Sequence, residues 1–351
     1  MSAYGQIEAT ADPAVETWRP PSRDGRRFLE KLAIFAALAV YAGFVVLAWR
    51  LSQVLLPDQL SVSLAGHALH LKNIHDKIAS NGITVLCLLP TALWLEFMFV
   101  GWRGSSLRSL LVGPTASIRT DIVYFLASQA HLIDLAAKIM MLGVSMISGL
   151  VIRDWLRATF GISIDAGALP LAAQIAIYFL VYTFFDYWTH RIDHTRYFWP
   201  LHRYHHAAHD FCVINAVREH PAAFVSVFLI NLPMAILGAT PQVMIYVNVV
   251  TAALGFVIHS RIDSNFGWFG RYLLQSPNHH RLHHKLDMSH PTGHYGMAPI
   301  WDHLFGTWYG EADQTLVIGV ETPYRHGLWI GADLLRDYVD FWKGFFRRRV
   351  A

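Results

Sequence analysis

Charge is scarce in this chain of 351 residues. Asp, Glu, Lys and Arg supply 15% of it, against roughly 25% in an ordinary soluble domain. Together with 54% hydrophobic residues and a positive mean hydropathy, that shortage points to a membrane protein. The formal net charge of +3 is too small for a nucleic-acid-binding surface, so no nucleic acid partner is expected. Cysteine is nearly absent, with Cys87 and Cys212 alone. Two cysteines exclude a disulfide framework and leave no Cys-x-x-Cys motif for metal or redox chemistry.

Long apolar runs are plentiful. Six are expected to span: Leu32–Leu51, Ile83–Trp102, Leu135–Ile152, Leu169–Trp188, Pro221–Ala239 and Pro241–His259. Each approaches the ~20 residues that cross a bilayer as a helix. The last two are joined by Gly238-Ala239-Thr240-Pro241 and read as a helical hairpin. The fold class expected is all-α, a polytopic membrane helical bundle with a cytoplasmic histidine-rich cap. Residues 1–31 are polar, with five basic residues from Arg19 to Lys31, and read as a disordered cytoplasmic tail. Residues 32–310 read as one membrane catalytic domain, with 57–82 a short amphipathic helix or loop. Residues 311–351 read as a cytoplasmic helical tail, ending in an amphipathic segment, Leu334–Phe346, and Arg347 to Arg349.

Placing the basic N-terminus in the cytoplasm puts 189–220 and 259–351 on the same, cytoplasmic face. A hairpin between two segments returns the chain to the side it left. Arg153 and Arg157 fall outside, against the positive-inside rule.

What the chain has in excess is histidine, 20 in all. Histidine is the commonest side-chain ligand of transition metals, and here spacing matters more than number. The first box is His190-Arg-Ile-Asp-His194, continuing from a span. The second is His202-Arg-Tyr-His205-His206, and the third is His280-Arg-Leu-His283-His284. Residues three or four apart share a helix face, so each box presents its imidazoles together. His259 stands at the cytoplasmic end of a span. These nine are the candidate ligands, and the eight box histidines are also the candidate catalytic residues. Two metals need roughly eight to twelve ligand positions between protein and water. Nine imidazoles suit two metals and overfill one, and they suit Fe, Zn, Cu or Ni rather than Mg or Ca.

Asp186, one turn before His190, is a candidate acceptor for a ligand's second N–H. His279 and His294 are further supporting candidates; Glu219 and Asp263 are weaker ones. His67, His70, His75, His131 and His326 read as ordinary structural histidines, and the same is favoured for His209, His220, His290 and His303. Trp199, Trp268, Trp301 and Trp308 read as an interfacial aromatic belt.

The three boxes, HRIDH, HRYHH and HRLHH, resemble those of the fatty acid hydroxylase and sterol desaturase superfamily of membrane di-iron enzymes. Asp186-Tyr-Trp-Thr-His190-Arg is similar to that family's first box. Ser276 to His284, followed by Trp301-Asp-His-Leu-Phe-Gly-Thr307, resembles its third box and downstream motif, most closely in the alkylglycerol monooxygenase branch. His294-Tyr295-Gly296 stands where that branch commonly carries Asn-Tyr-Gly. The resemblance covers roughly residues 175–310. It implies two iron ions, O2 as co-substrate, and hydroxylation or desaturation of a membrane lipid. It also implies electrons from outside the chain, since no Gly-rich dinucleotide fingerprint occurs and His220-Pro221 runs into alanines rather than a cytochrome b5-like HPGG. A separate ferredoxin, cytochrome b5 or reductase is expected. In a bacterium the enzyme would sit in the inner membrane, in a eukaryote in the endoplasmic reticulum.

Two other readings compete. A zinc-dependent membrane lipid hydrolase needs about three histidines and one carboxylate, which nine box histidines exceed. A haem-binding electron carrier or metal transporter wants polar groups inside the spans, where this chain has almost none.

Overall fold

The computed structural model describes residues 32–346, apart from scattered positions between 33 and 56 and the segments 65–66, 72–73, 130–134, 287–292 and 311–315. The expected tail at 1–31 lies outside the described residues. Helix dominates. A two-stranded antiparallel hairpin, β1 (Leu60–Leu64) and β2 (His67–Leu71), occupies part of the stretch expected as helix or loop. The helix after it begins at Ile74, nine residues before the expected apolar run.

That helix, α1 (Ile74–Gly104), turns sharply at Gly101, whose φ of 73° suits a residue without a Cβ. The turn brings α2 (Ser106–Leu111) back onto α1. Glu96, fully buried, accepts from the backbone and hydroxyl of Ser106 at 2.6 and 2.7 Å and from the Arg261 backbone at 2.7 Å. Then come α3 (Ala116–Gln129), α4 (Leu135–Phe160) and α5 (Leu171–Asp193). Among the described residues, α5 is the one helix long and apolar enough to cross a membrane. The expected spans at 32–51, 83–102 and 135–152 run over positions or side chains outside the described residues.

After α6 (Trp199–His206) the hairpin is formed by α7 (Phe224–Ile236) and α8 (Pro241–Ile258). Both are shorter than the expected spans. The 13 residues of α7 extend only ~20 Å, and the 3-10 turn Pro221–Ala223 precedes them. The hairpin tip still reaches the far end of α5, where the Ala166 N–H donates to the Leu237 carbonyl at 3.1 Å. Pro at the start of α8, behind the Thr240 N-cap, explains where the second arm begins. Tyr178 of α5, Met234 of α7 and Val243, Met244 and Val247 of α8 form the core between the three helices. The α4–α7 contact is close because Gly149 has no side chain: an added Cβ would stand 2.4 Å from Ala235 Cβ. Outward, Ile147, Leu150, Val151, Leu180, Val225 and Val250 remain exposed.

The remaining elements are short. They are α9 (Gly267–Tyr272), α10 (Pro277–His283) and α11 (Ile300–Leu304). α12 (Ile330–Phe346) ends the described chain. It covers the segment expected to be an amphipathic tail, but it is docked on the body against α6.

Candidate metal centre

The boxes sit where apolar helices give way to short polar ones. The first box is the last turn of α5, whose cap residue is His194. The second lies in α6, opened by Pro200 near its start. The third is α10, capped by Ser276, whose hydroxyl accepts from the His279 N–H at 3.2 Å, with Pro277 in the first turn. Early prolines in α6 and α10, and the Ser276 cap of α10, fix where these short helices begin.

All nine expected ligands converge, and they separate into two groups. His190, His194, His202, His206 and His283 form one; His205, His259, His280 and His284 form the other. Within each group the candidate ligand atoms lie within 4.8 Å of one another. The partition interleaves the boxes. In each HxxHH box the first and last histidines, four apart, serve one group, and the middle histidine crosses to the other. His202 and His206 thus sit with the first box, while His205 joins His259; His280 and His284 sit with His259, while His283 joins the first box.

Outward hydrogen bonds orient the rings. His190 Nδ1 donates to the Tyr295 carbonyl at 2.7 Å and His283 Nδ1 to the Gly293 carbonyl at 2.7 Å. His205 Nδ1 donates to the Arg218 carbonyl at 3.1 Å and His259 Nδ1 to the Gly255 carbonyl at 2.7 Å. His280 Nδ1 donates to Gln275 Oε1 at 3.0 Å. The Gln275 amide is itself fixed, because its Nε2 donates to the His294 carbonyl at 2.6 Å. A neutral imidazole that donates through Nδ1 keeps a lone pair on Nε2.

In the second group three such lone pairs meet. His205 and His259 Nε2 are 3.3 Å apart, and His259 and His280 Nε2 are 2.9 Å apart. Lone pairs do not bond to one another, so a cation between them is the partner this arrangement fits. In the first group the Nε2 atoms of His194 and His283 are buried without a hydrogen-bond partner. Nitrogens bound at ~2.1 Å to one metal stand roughly 3.0 Å apart at a right angle and ~3.4 Å apart at the tetrahedral angle. The observed 2.9–3.3 Å fits ligands of a shared ion. A metal pair therefore fits the residues present.

Burial keeps these rings neutral. Desolvation pushes the His205 pKa down to about 4. His202, His206, His280, His283 and His284 fall well below the ordinary value, first by burial and then by neighbouring imidazoles. Neutral imidazole is the form that binds metal.

The supporting residues differ from expectation. Asp186 does not take the His190 N–H; the Tyr295 carbonyl does, and Asp186 lines the cavity beside the site. His279 faces away from both groups, with Nδ1 at 2.8 Å from Ser276 Oγ. Its ring stacks on His294 with centroids 5.5 Å apart, and Trp308 packs edge-on against both. His294 belongs to neither group; its Nε2 donates to the Tyr309 carbonyl at 2.6 Å. Trp199 packs on His194 and His206, so neither it nor Trp308 belongs to an outer belt. Asp263 accepts from Asn278 Nδ2 at 3.1 Å, and Glu219 lines the cavity. His75, His209, His220, His303 and His326 join neither group; His131 and His290, and the side chains of His67 and His70, lie outside the described residues.

Asp302 explains the downstream motif. Its carboxylate accepts from the backbones of Tyr295 and Gly296 at 2.8 and 2.9 Å and from the Thr307 hydroxyl at 2.8 Å. That clamp fixes the loop whose carbonyls hold His190 and His283. Gly293 and Gly296 lie under the same constraint: an added Cβ would meet the Thr307 carbonyl at 2.0 Å and the Ala298 carbonyl at 2.7 Å, respectively. Behind the second box, Arg218 and Asp121, both fully buried, pair at 3.0 Å, and the Arg218 guanidinium lies over Tyr204, 4.7 Å from its ring centroid.

A cavity of about 790 Å³ opens beside the centre. Its wall includes His190, His202, His205, His259 and His280. Apolar side chains of α4, α7 and α8 continue it, among them Met146, Val227, Ile230 and Val249. Three carboxylates line it, Asp186, Asp193 and Glu219, and among the described residues no lysine or arginine does.

The boxes, the loop clamp and most of the cavity wall fall within one stretch of sequence. Residues 175–307 match the fatty acid hydroxylase family. That stretch carries all three boxes, His259 and the loop clamped by Asp302. An ornithine lipid hydroxylase of Rhizobium tropici is 30% identical over 143 residues, 40% of this chain and 43% of that protein. The human alkylglycerol monooxygenase is 29% identical over 177 residues, 48% of this chain and 39% of that protein. The Danio rerio alkylglycerol monooxygenase is 29% identical over 163 residues, 46% of this chain and 35% of that protein. The chain thus spans less than half the length of these curated relatives. No solved structure matches it significantly.

Proposed function

We propose that this protein is an integral membrane, di-iron, O2-dependent lipid hydroxylase. One observation carries the reading: nine imidazoles divide into groups of five and four, with lone pairs converging, at the wall of a largely apolar cavity. Five ligands in one group exceed a tetrahedral zinc site, which weighs against the hydrolase.

When bound, the two irons would supply the activation of O2 that attack on an unactivated C–H bond requires. The chain's own residues do the rest. Nδ1–H bonds to carbonyls hold each Nε2 in place. The apolar walls take an alkyl chain and exclude water. Asp186, Asp193 and Glu219 offer acceptors to the polar end of the lipid, which should be rich in N–H or O–H donors. The relatives' names, for an ornithine lipid and an alkylglycerol, describe lipids of that kind. Electrons come from a separate donor on the water side, and the boxes face the cytoplasm.

The test is metal content and isotope labelling on anaerobically purified, iron-supplied protein. About two irons per chain, and 18O from 18O2 in a lipid product, are expected from the ligand count. One zinc per chain with no iron, or a product that takes its oxygen from water, would overturn the proposal.

A further inference from the structure

Helix α12 is amphipathic the wrong way round for a helix packed on a protein. Leu335, Tyr338, Val339, Trp342 and Phe346 fall on one face by their three- and four-residue spacing, and all are exposed, Leu335 by 63% and Phe346 by 72%. The opposite face is acidic and turned inward. Asp333 and Asp337 are buried. Asp337 accepts from Arg203 Nη2 at 2.6 Å and from the Tyr324 hydroxyl at 2.5 Å, and Asp340 accepts from Arg203 Nη2 at 2.5 Å. His220 Nε2 donates to the Leu334 carbonyl at 2.9 Å. Ion pairs thus dock the helix, and its apolar stripe is left outward.

The stripe continues in composition at the N-terminal end, where Leu328 and Trp329 are 82% and 62% exposed. Charge favours one kind of occupant. Every acid of the helix is on the inner face, Lys343 lies beside the stripe and is largely exposed, and Arg347, Arg348 and Arg349 follow in the sequence. Apolar and aromatic side chains edged by basic ones suit an anionic lipid interface.

We propose that α12 lies in the plane of the membrane interface, its apolar stripe in lipid and its acidic face bonded to the catalytic body. The inference rests on the membrane placement given under Proposed function and adds a second, non-spanning contact. It also gives Arg203 a positioning role. Arg203 stands between His202 and Tyr204 on α6, the helix that supplies three candidate ligands, so the Arg203–Asp337–Asp340 bonds set the distance of the second box from the lipid surface.

The experiment uses the full chain reconstituted in nanodiscs of phosphatidylcholine with phosphatidylglycerol. Leu335→Cys is labelled with an environment-sensitive fluorophore, and Leu180→Cys, exposed midway along α5, serves as the control for the span. Labelled parent protein corrects for Cys87 and Cys212. Nitroxide lipids carry the quencher either near the headgroup or near the chain end. The expected result is loss of Leu335→Cys fluorescence with the shallow quencher and of Leu180→Cys fluorescence with the deep one. If Leu180→Cys is quenched but Leu335→Cys responds only to aqueous iodide, α12 faces water and the inference is overturned while the membrane reading stands. If Leu335→Cys resists both quenchers, a protein segment or second copy covers the stripe, which also overturns it. If neither site responds to lipid nitroxides, the membrane reading itself fails.

Discussion

Why a histidine stands at 294, where the related branch has asparagine, is answered by its backbone. His294 has φ of 58°, in the left-handed region that asparagine and histidine enter more readily than most residues. Its carbonyl holds Gln275, and Gln275 holds His280, so the backbone conformation matters to the metal site more than the imidazole does. His294→Asn is expected to keep metal content and melting temperature, whereas His294→Val should cost ~1–2 kcal/mol, the usual penalty of that region, read by denaturant unfolding. Gln275→Ala should weaken metal binding at the group of four by ~10–100-fold, as loss of an outer hydrogen bond commonly does, with the group of five little changed; metal titration monitored in the ultraviolet checks this. The eight box histidines were legible from their spacing, and His259 from its place at the end of an apolar run. Their acceptors were not, because four of the five are backbone carbonyls, at Tyr295, Arg218, Gly293 and Gly255, and a carbonyl leaves no mark on the sequence. Asp186 attracted notice for its side chain, and the N–H went to the main chain instead.

At the scale of elements, short helices do what length cannot. α6 has eight residues and α10 seven, yet each contributes to both histidine groups, because residues three and four apart diverge in azimuth. The loop between α10 and α11 depends on one carboxylate. Asp302→Asn preserves size, but an amide cannot accept all three hydrogen bonds that Asp302 receives. It should cost ~1–3 kcal/mol and loosen metal binding, measured as a lower Tm and a lower metal-to-chain ratio after dialysis. The apolar runs of α5 and the hairpin could be read directly from hydropathy. The β1–β2 hairpin was passed over: Leu60-Ser-Val-Ser-Leu64 does alternate, but each strand has only five residues, too short a run to outweigh a helix or loop reading. The face of α12 was legible as amphipathic, but pattern alone does not say which face turns inward. Here the partly buried partner Arg203 decided it, and Arg203 is remote in sequence.

For the molecule as a whole, the histidine core sets the response to acid. His205 and its neighbours outside the helices α5 and α8 have folded-state pKa values below 6.5, so the unfolded chain binds more protons below that pH. Stability is therefore intact above about pH 6.5 and falls as pH drops beneath it. Asp302 opposes this: burial holds its carboxyl up at about 6, so its own contribution favours the folded state as pH falls through 6. The histidines outnumber it. The metal-free protein should melt at a lower temperature at pH 5 than at pH 7.5, and added metal should raise the Tm far more at pH 7.5, where no proton competes for the lone pairs; a thermal scan at both values checks it.

Nine uncharged donors also fix what a metal pair held here would feel. Di-iron proteins of the ferritin type surround their metals with glutamates, whose negative charge rewards the ferric state. An all-imidazole cage gives no such reward, and charge around a metal is one of the determinants of its potential. A pair of irons held here would keep most of its positive charge, rest more comfortably in the ferrous form, and attract small anions from the water side.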